Sequence, residues 1–266
     1  MRLSIITLVA LCLVLAWGAL PVSAEAPEGP AVVAVGDSIT AGEGASNPAV
    51  IGYAPRFQRG LIPIDCNENK ASACPFLDLV NYAEMGGITS GDVVAEQLTP
   101  AVDEILRRRF DGDVTNDVEY IVVSVGGNDV FGPVLAACAA GVDQQCIDTI
   151  TAVFASYQTN LGIILGTLSA AAPEAQIGIM TYYNPLGSCV LAHLEPLGEI
   201  VLEGGDVLPA GLNDVIRAFA GAFPNVTAVE THGLLEPGDL VGGSDCRHPD
   251  NSGHRKIADA FLAALV

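Results

Sequence analysis

Basic residues are scarce in this sequence: 11 Lys and Arg stand against 31 Asp and Glu, for a formal net charge of −20. A surface that acidic repels phosphate backbones and anionic bilayers, which argues against nucleic acid as a partner. The single tryptophan, Trp17, falls in the N-terminal apolar run, so no broad aromatic platform for stacking sugars is expected. No Cys-x-x-Cys pair occurs, which leaves zinc without its usual ligand spacing. Internal repeats and low-complexity tracts are missing too, and beyond the N-terminal run no stretch is long and apolar enough to span a bilayer.

That run is informative. Met1-Arg2 precedes an apolar segment from Leu3 to Leu20, followed by Pro21-Val22-Ser23-Ala24. A basic start, an apolar middle and small residues at the last and third-last positions predict a secretory signal peptide over 1–24, cut after Ala24. The alternative is an uncleaved anchor, since the run nears the roughly 17–25 residues of a spanning helix. A lipoprotein anchor at Cys12 is disfavoured by Leu11, where a small residue belongs. The expected mature chain is soluble, extracellular, monomeric and not inserted in membrane, with a linker at 25–30 and one domain at 31–266. Removing the signal leaves 242 of the 266 residues, enough to bury a sizeable core.

Six cysteines follow Cys12: Cys66, Cys74, Cys138, Cys146, Cys189 and Cys246. An even number in an exported chain implies disulfides. The short spacings suggest Cys66 with Cys74 and Cys138 with Cys146, leaving Cys189 with Cys246, although sequence alone cannot choose among the pairings.

Apolar, β-rich runs alternate with helical patterns. Ala31–Val35 ends at Gly36-Asp37, and Ile121–Val125 ends at Gly126-Gly127-Asn128-Asp129; both read as buried parallel strands with polar residues at their C-terminal ends. Weaker strand candidates are Leu79–Ala83, Gln176–Tyr182 and Val226–Val229. Helices are predicted at about 91–109, 148–171, 209–222 and 251–265. The alternation predicts a parallel sheet with helices on both faces, whose ligand site lies beyond the carboxyl ends of the strands. The longest irregular stretches, 43–78 and 184–208, are expected to form its rim.

Ser38, in Gly36-Asp37-Ser38-Ile39-Thr40, follows the first strand directly, which places its hydroxyl in a tight strand-to-helix turn. Helix amides there would face developing negative charge, although a plain N-cap serine reads the same way. Ser244-Asp245-Cys246-Arg247-His248-Pro249 precedes the last helix. A serine hydroxyl needs a base to take its proton, and histidine does this best when a carboxylate fixes its tautomer. Asp245 and His248, three apart on one loop, can supply both. His254 is expected to pack or cap at the start of the last helix. Acyl transfer also needs donors at the oxyanion: a glycine amide of Gly86-Gly87 and the Asn128 side chain lie on the same sheet edge, with a Gly-Gly turn and a locally satisfied Asn as the structural alternatives.

Gly36-Asp37-Ser38, Gly86, Gly126-Gly127-Asn128-Asp129 and Asp245-Cys246-Arg247-His248-Pro249 together resemble, in order, the four blocks of the SGNH (GDSL-type) hydrolases, over about residue 31 to the C-terminus. The resemblance implies a flavodoxin-like α/β fold: a three-layer α/β/α sandwich around a parallel sheet of about five strands. It implies Ser38 as nucleophile and first oxyanion donor, Gly86 and Asn128 as the other donors, His248 as base and Asp245 as its orienter, with no metal or cofactor. The six-cysteine layout, with Tyr183-Asn184-Pro185 before Cys189, resembles secreted bacterial GDSL lipases and esterases with three disulfides. Ile39 replaces the leucine of the motif name, a swap of similar volume. The doubled glycine leaves open whether the amide of Gly86 or of Gly87 enters the hole.

The implied reaction is ester hydrolysis through an acyl-enzyme on small-molecule or lipid esters, with short or medium acyl chains on a neutral alcohol as first choice. A carbohydrate O-acetyl esterase is the enzymatic alternative, a phosphodiester or thioester hydrolase is a further one, and a non-catalytic cell-surface binding protein is the rival class. Ile51, Tyr53, Phe57, Leu61 and Ile62 either line an acyl groove or cover the sheet. Asp111-Gly112-Asp113-Val114-Thr115-Asn116-Asp117 spaces carboxylates as calcium loops do, but lacks their sixth-place glycine and twelfth-place acid, and reads as a solvated turn.

Overall fold

The computed structural model describes residues 28–62, 77–138, 141–188, 192–206, 208–243 and 245–266. The expected signal peptide and most of the linker lie outside them. Five strands form one parallel sheet in the order β2-β1-β3-β4-β5: β1 Ala31–Gly36, β2 Asp78–Asn81, β3 Val118–Ser124, β4 Gln176–Met180 and β5 Val226–Val229. Every residue of β1 is buried, as a continuous apolar run between two neighbours requires. The five strand expectations all fall on these elements, with ends that differ by up to three residues.

Helices cover both faces, giving three α/β/α layers. On one face α2 (Tyr53–Gly60) packs against the last helix, α8 (Asn251–Leu265). Tyr53 stacks on Phe261 at 4.9 Å between ring centres, and Phe57 meets Phe261 and Tyr120 edge-on. On the other lie α3 (Leu98–Phe110), α5 (Gln144–Ala171) and α7 (Leu212–Ala220). The stretch leading into α3 is not one regular helix: a turn at Ser90–Asp92 passes into a π-helical segment, Val93–Gln97. Among the described residues no helix is long and apolar enough to cross a membrane.

Among the described residues, three helices of eight residues or more arise where none was expected. Two lie in the stretches read as irregular: α2, and α6 at Glu195–Glu203. The third, α4 at Gly127–Cys138, contains Gly132 and Pro133, the two residue types least compatible with a helix interior, so its sequence reads as turn. The groove reading of the 51–62 insertion is corrected as well. Tyr53 and Phe57 are fully buried, Leu61 and Ile62 pack against the core, and none of the five candidates borders the large cavity described below; they cover the sheet.

Arg108 ties this end of the sheet together. Its guanidinium, 3 % exposed, bonds Glu104, Asp78 and the carbonyls of Gly29 and Asn116. Glu104 is in turn held down to about 2 by the hydrogen bonds and charges of Arg107 and Arg108, against the effect of burial. The loop with alternate carboxylates is a turn that bonds largely to itself, although Asn116 Oδ1 and Asp117 Oδ1 are buried without a partner. Asp111 accepts from the Asp113 amide and the Asn116 side chain, and Asp113 accepts from Thr115.

Cys138 and Cys146 form a disulfide with a Cα–Cα distance of 4.9 Å. Cys246 is buried and disulfide-bonded. Cys66, Cys74 and Cys189 lie outside the described residues.

Candidate active site

Strand order reverses between β1 and β3, and the residues that follow these two strands share that crevice. At the end of β1, Gly36 has φ 138°, and a β-carbon there would lie 2.1 Å from the Ser124 carbonyl oxygen, so no other residue fits. Gln97, from the π-helical segment, holds this glycine from both sides: Gly36 N–H donates to Oε1 at 2.8 Å, and Nε2 donates to the Gly36 carbonyl at 2.9 Å. The chain then turns into α1 (Ser38–Ala41), capped by Asp37, which accepts from the Ile39 amide at 3.0 Å. Ser38 is thereby fixed at the first helical position, buried and on the border of the cavity.

Asp37 is the most perturbed acid beside the site. Burial pushes its carboxyl up to about 6, although the Tyr182 hydroxyl, the Ser124 hydroxyl, the Ile39 amide and the charge of His248 all favour its ionised form. Ser124 also bonds Thr40 at 2.6 Å, and Thr40 bonds the Tyr53 hydroxyl at 2.8 Å. A polar chain therefore runs from the serine turn into the core, where each unmet group would be destabilising.

The loop before α8 brings the second cluster to this turn. His248 Nε2 lies 2.9 Å from Ser38 Oγ, and Nδ1 lies 2.8 Å from each carboxylate oxygen of Asp245. With Nδ1–H donating to the carboxylate, Nε2 is left to accept from the serine hydroxyl. Burial opposes the charge on Asp245, but the hydrogen bond and charge of His248, together with Arg247, hold its carboxyl below the ordinary range. The Tyr183 hydroxyl donates to the Arg247 carbonyl at 2.6 Å, and the Val241 amide donates to that of His248 at 2.9 Å. Glu43 stands beside the imidazole, with Oε2 3.8 Å from Nε2.

His254 is no part of this relay. It is fully buried in α8, where Nδ1 accepts from the Tyr53 amide and Nε2 donates to the Glu43 carbonyl; burial drives its pKa down to about 4. A neutral ring with one donor and one acceptor meets both demands, in line with the packing role read from the sequence.

Gly86 and Gly87 follow β2 with φ of 101° and 86°, and both border the same cavity as Ser38 and Asn128. Asn128, in the first turn of α4, donates from Nδ2 to the Ile88 carbonyl at 2.8 Å, which ties the glycine loop to the helix. A carboxamide nitrogen carries two hydrogens, so one remains for a ligand. Asp129 accepts from the Ser90 amide and hydroxyl, which braces the same corner.

These residues surround a cavity of about 480 Å³, within the range of small-ligand sites. Its lining is mixed: Glu43, Arg247 and His248 are polar, while Ile39, Phe131, Leu135, Tyr183, Pro185 and Leu186 give it apolar wall. Glu43, Asp245 and His248 form the one group among the described residues with three potential metal-ligating atoms within 4.8 Å. Both nitrogens of His248 are already engaged, by Ser38 and Asp245, so the cluster is arranged for proton transfer rather than coordination.

Five supporting residues, Thr40, Glu43, Gln97, Ser124 and Tyr182, were not singled out from the sequence. Only Ser124 left a signal, as a polar residue near the end of a buried apolar strand.

The GDSL-like Lipase/Acylhydrolase family matches residues 34–256 of the chain. A lipase of Streptomyces rimosus is 25 % identical over 209 residues, 71 % of each chain. Among solved structures, the lipase Lip_vut3 from goat rumen metagenome superposes with a TM-score of 0.60 at 17 % identity, covering 88 % of this chain and 96 % of that one. The extracellular lipase from Streptomyces rimosus gives 0.57 at 20 %, covering 89 % and 100 %. The acetylxylan esterase Axe2 from Geobacillus stearothermophilus gives 0.53 at 18 %, covering 89 % and 94 %. At these identities the structural likeness establishes the fold.

Proposed function

We propose, for a chain that belongs to the GDSL-like Lipase/Acylhydrolase family and is a carboxylic ester hydrolase, that Ser38 is the nucleophile, His248 the general base and Asp245 its orienter. The observation that carries this reading is the unbroken hydrogen-bonded line from Ser38 Oγ through His248 to Asp245, at 2.9 and 2.8 Å, on the border of the cavity.

Ser38 attacks the ester carbonyl as Nε2 takes its proton. The oxyanion is met by the Ser38 amide, the Gly86 amide and the free Nδ2–H of Asn128, each such donor being worth about 10²–10³ in kcat. The imidazolium then protonates the leaving alcohol, and water activated by the same ring releases the acid. Glu43, close to Nε2, favours the imidazolium while it exists. The apolar wall supports acyl chains of short to medium length over bare acetyl groups, and an intact serine–histidine–carboxylate line is not what a non-catalytic binding protein needs.

Secretion follows from the Met1–Ala24 segment and is in keeping with the extracellular lipase of Streptomyces rimosus. The reading includes cleavage after Ala24, a catalytic domain at 31–266, and Cys66–Cys74 and Cys189–Cys246 as the remaining disulfides.

The test is hydrolysis of p-nitrophenyl esters from acetate to long acyl chains by the wild type and Ser38→Ala. The wild type is expected to turn over short and medium esters, with kcat at least about 10⁴-fold lower in the variant. A variant that keeps its rate removes Ser38 from the reaction.

A further inference from the structure

The proposed reaction divides the cavity into two sides. The leaving alcohol takes its proton from His248 Nε2, so it lies toward Glu43 and Arg247. The acyl group, on the other bond of the same carbonyl carbon, is left with the rest of the lining, which includes Phe131, Gly132 and Leu135 of α4 and Leu186.

Gly132 is an odd residue to find there. Glycine is poorly suited to a helix interior, and Pro133 after it lacks the amide hydrogen that would bond the Asp129 carbonyl. Other glycines near the site have a reason: a β-carbon at Gly126 or Gly127 would lie 2.7 Å from the ring of Tyr157 or Tyr182, and Gly86 and Gly87, uncrowded like Gly132, have positive φ. At Gly132 a β-carbon would meet no atom within 4 Å, and the backbone is ordinary helix. Neither crowding nor a left-handed conformation accounts for glycine at this position. Gly132 is itself exposed, and a side chain there would enter open space at the border of the cavity, one helical turn beyond Asn128 and on the same face of α4.

We propose that Gly132 is the specificity-determining residue of the acyl side: its missing side chain leaves a trough across α4, between Phe131, Leu135 and Leu186, that takes a medium-length acyl chain. This rests on the ester-hydrolase reading of the same site. Filling the trough shortens the acyl group the enzyme accepts and leaves the reacting atoms untouched.

The experiment compares wild type, Gly132→Ala and Gly132→Phe on p-nitrophenyl acetate, butyrate, octanoate and decanoate, with Ser38→Ala as the blank. Gly132→Phe is expected to keep acetate turnover within about 3-fold while octanoate and decanoate fall about 100-fold, the discrimination an apolar pocket reaches when methylenes lose their place. Gly132→Ala is expected to lie between the two and to melt at a higher temperature than wild type. A chain-length profile in Gly132→Phe parallel to wild type, with Ser38-dependent activity intact, overturns the trough and leaves the hydrolase reading standing. If wild type has no Ser38-dependent activity on any ester, the reading itself falls, and the trough with it. Should Gly132→Phe fail to fold by circular dichroism, Gly132→Leu carries the same comparison.

Discussion

Replacing Asp37 with Asn probes the buried carboxyl that caps the serine turn. Burial holds that group near 6, against an ordinary value of 3.8. The folded state therefore binds the proton more tightly than the unfolded chain does. The resulting stabilisation is fully present below about pH 3.8 and is lost as pH rises through about 6. The gap corresponds to about 3 kcal/mol. Asparagine cannot titrate, so the variant lacks this contribution, while groups such as Glu104 and His254 titrate alike in both proteins and cancel in the difference. Urea unfolding of both proteins between pH 4 and 8, with disulfides intact, gives the stability of wild type minus that of Asp37→Asn. That difference is expected to fall by about 2 kcal/mol between pH 4 and 7, the larger part of the full gap, and to level off above. Altered hydrogen bonds to Tyr182, Ser124 and the Ile39 amide shift the curve as a whole and leave its slope alone. A flat difference would refute the argument that burial dominates, and one that rises with pH would show that the donors around the carboxylate outweigh it.

Two further outcomes follow from the same geometry. Asp245→Asn should leave KM for a butyrate ester nearly unchanged and lower kcat by about 10⁴-fold, because an amide no longer favours the tautomer that leaves Nε2 as base; steady-state kinetics decides, and a loss under tenfold contradicts the role of the carboxylate. Arg108→Ala strands Asp78 and the carbonyls of Gly29 and Asn116, leaving Glu104 to Arg107 alone, and should destabilise the protein by about 3 kcal/mol with unchanged kcat per folded molecule, read from urea unfolding alongside activity.

The parallel sheet was legible because β1 and β3 are continuous apolar runs that end in glycine and polar residues, and because His248 has a carboxylate three positions before it. What escaped the sequence was local disagreement between propensity and place. α4 forms across Gly132 and Pro133 because Val130, Val134 and Cys138 bury one face and Cys138 is bonded to Cys146, a tertiary gain that periodicity over so short a span does not display. Tyr53 and Phe57 read equally as groove or as sheet cover, because their partner Phe261 lies some 200 positions later and only the folded chain reveals that pairing. Gln97 and Tyr182 support the turn from remote segments with no motif of their own.

The bond between Ser38 and His248 joins residues 210 positions apart, and β3, β4 and β5 all lie between them in the sequence. A chain made from its N-terminus carries its serine early and its base late. Until His248 has been added and the sheet behind it has closed, the serine is an ordinary alcohol. On the proposed mechanism the catalyst is thus silent throughout its own synthesis, and a truncated product that stops short of His248 lacks the base it needs to attack the esters of the cell that makes it.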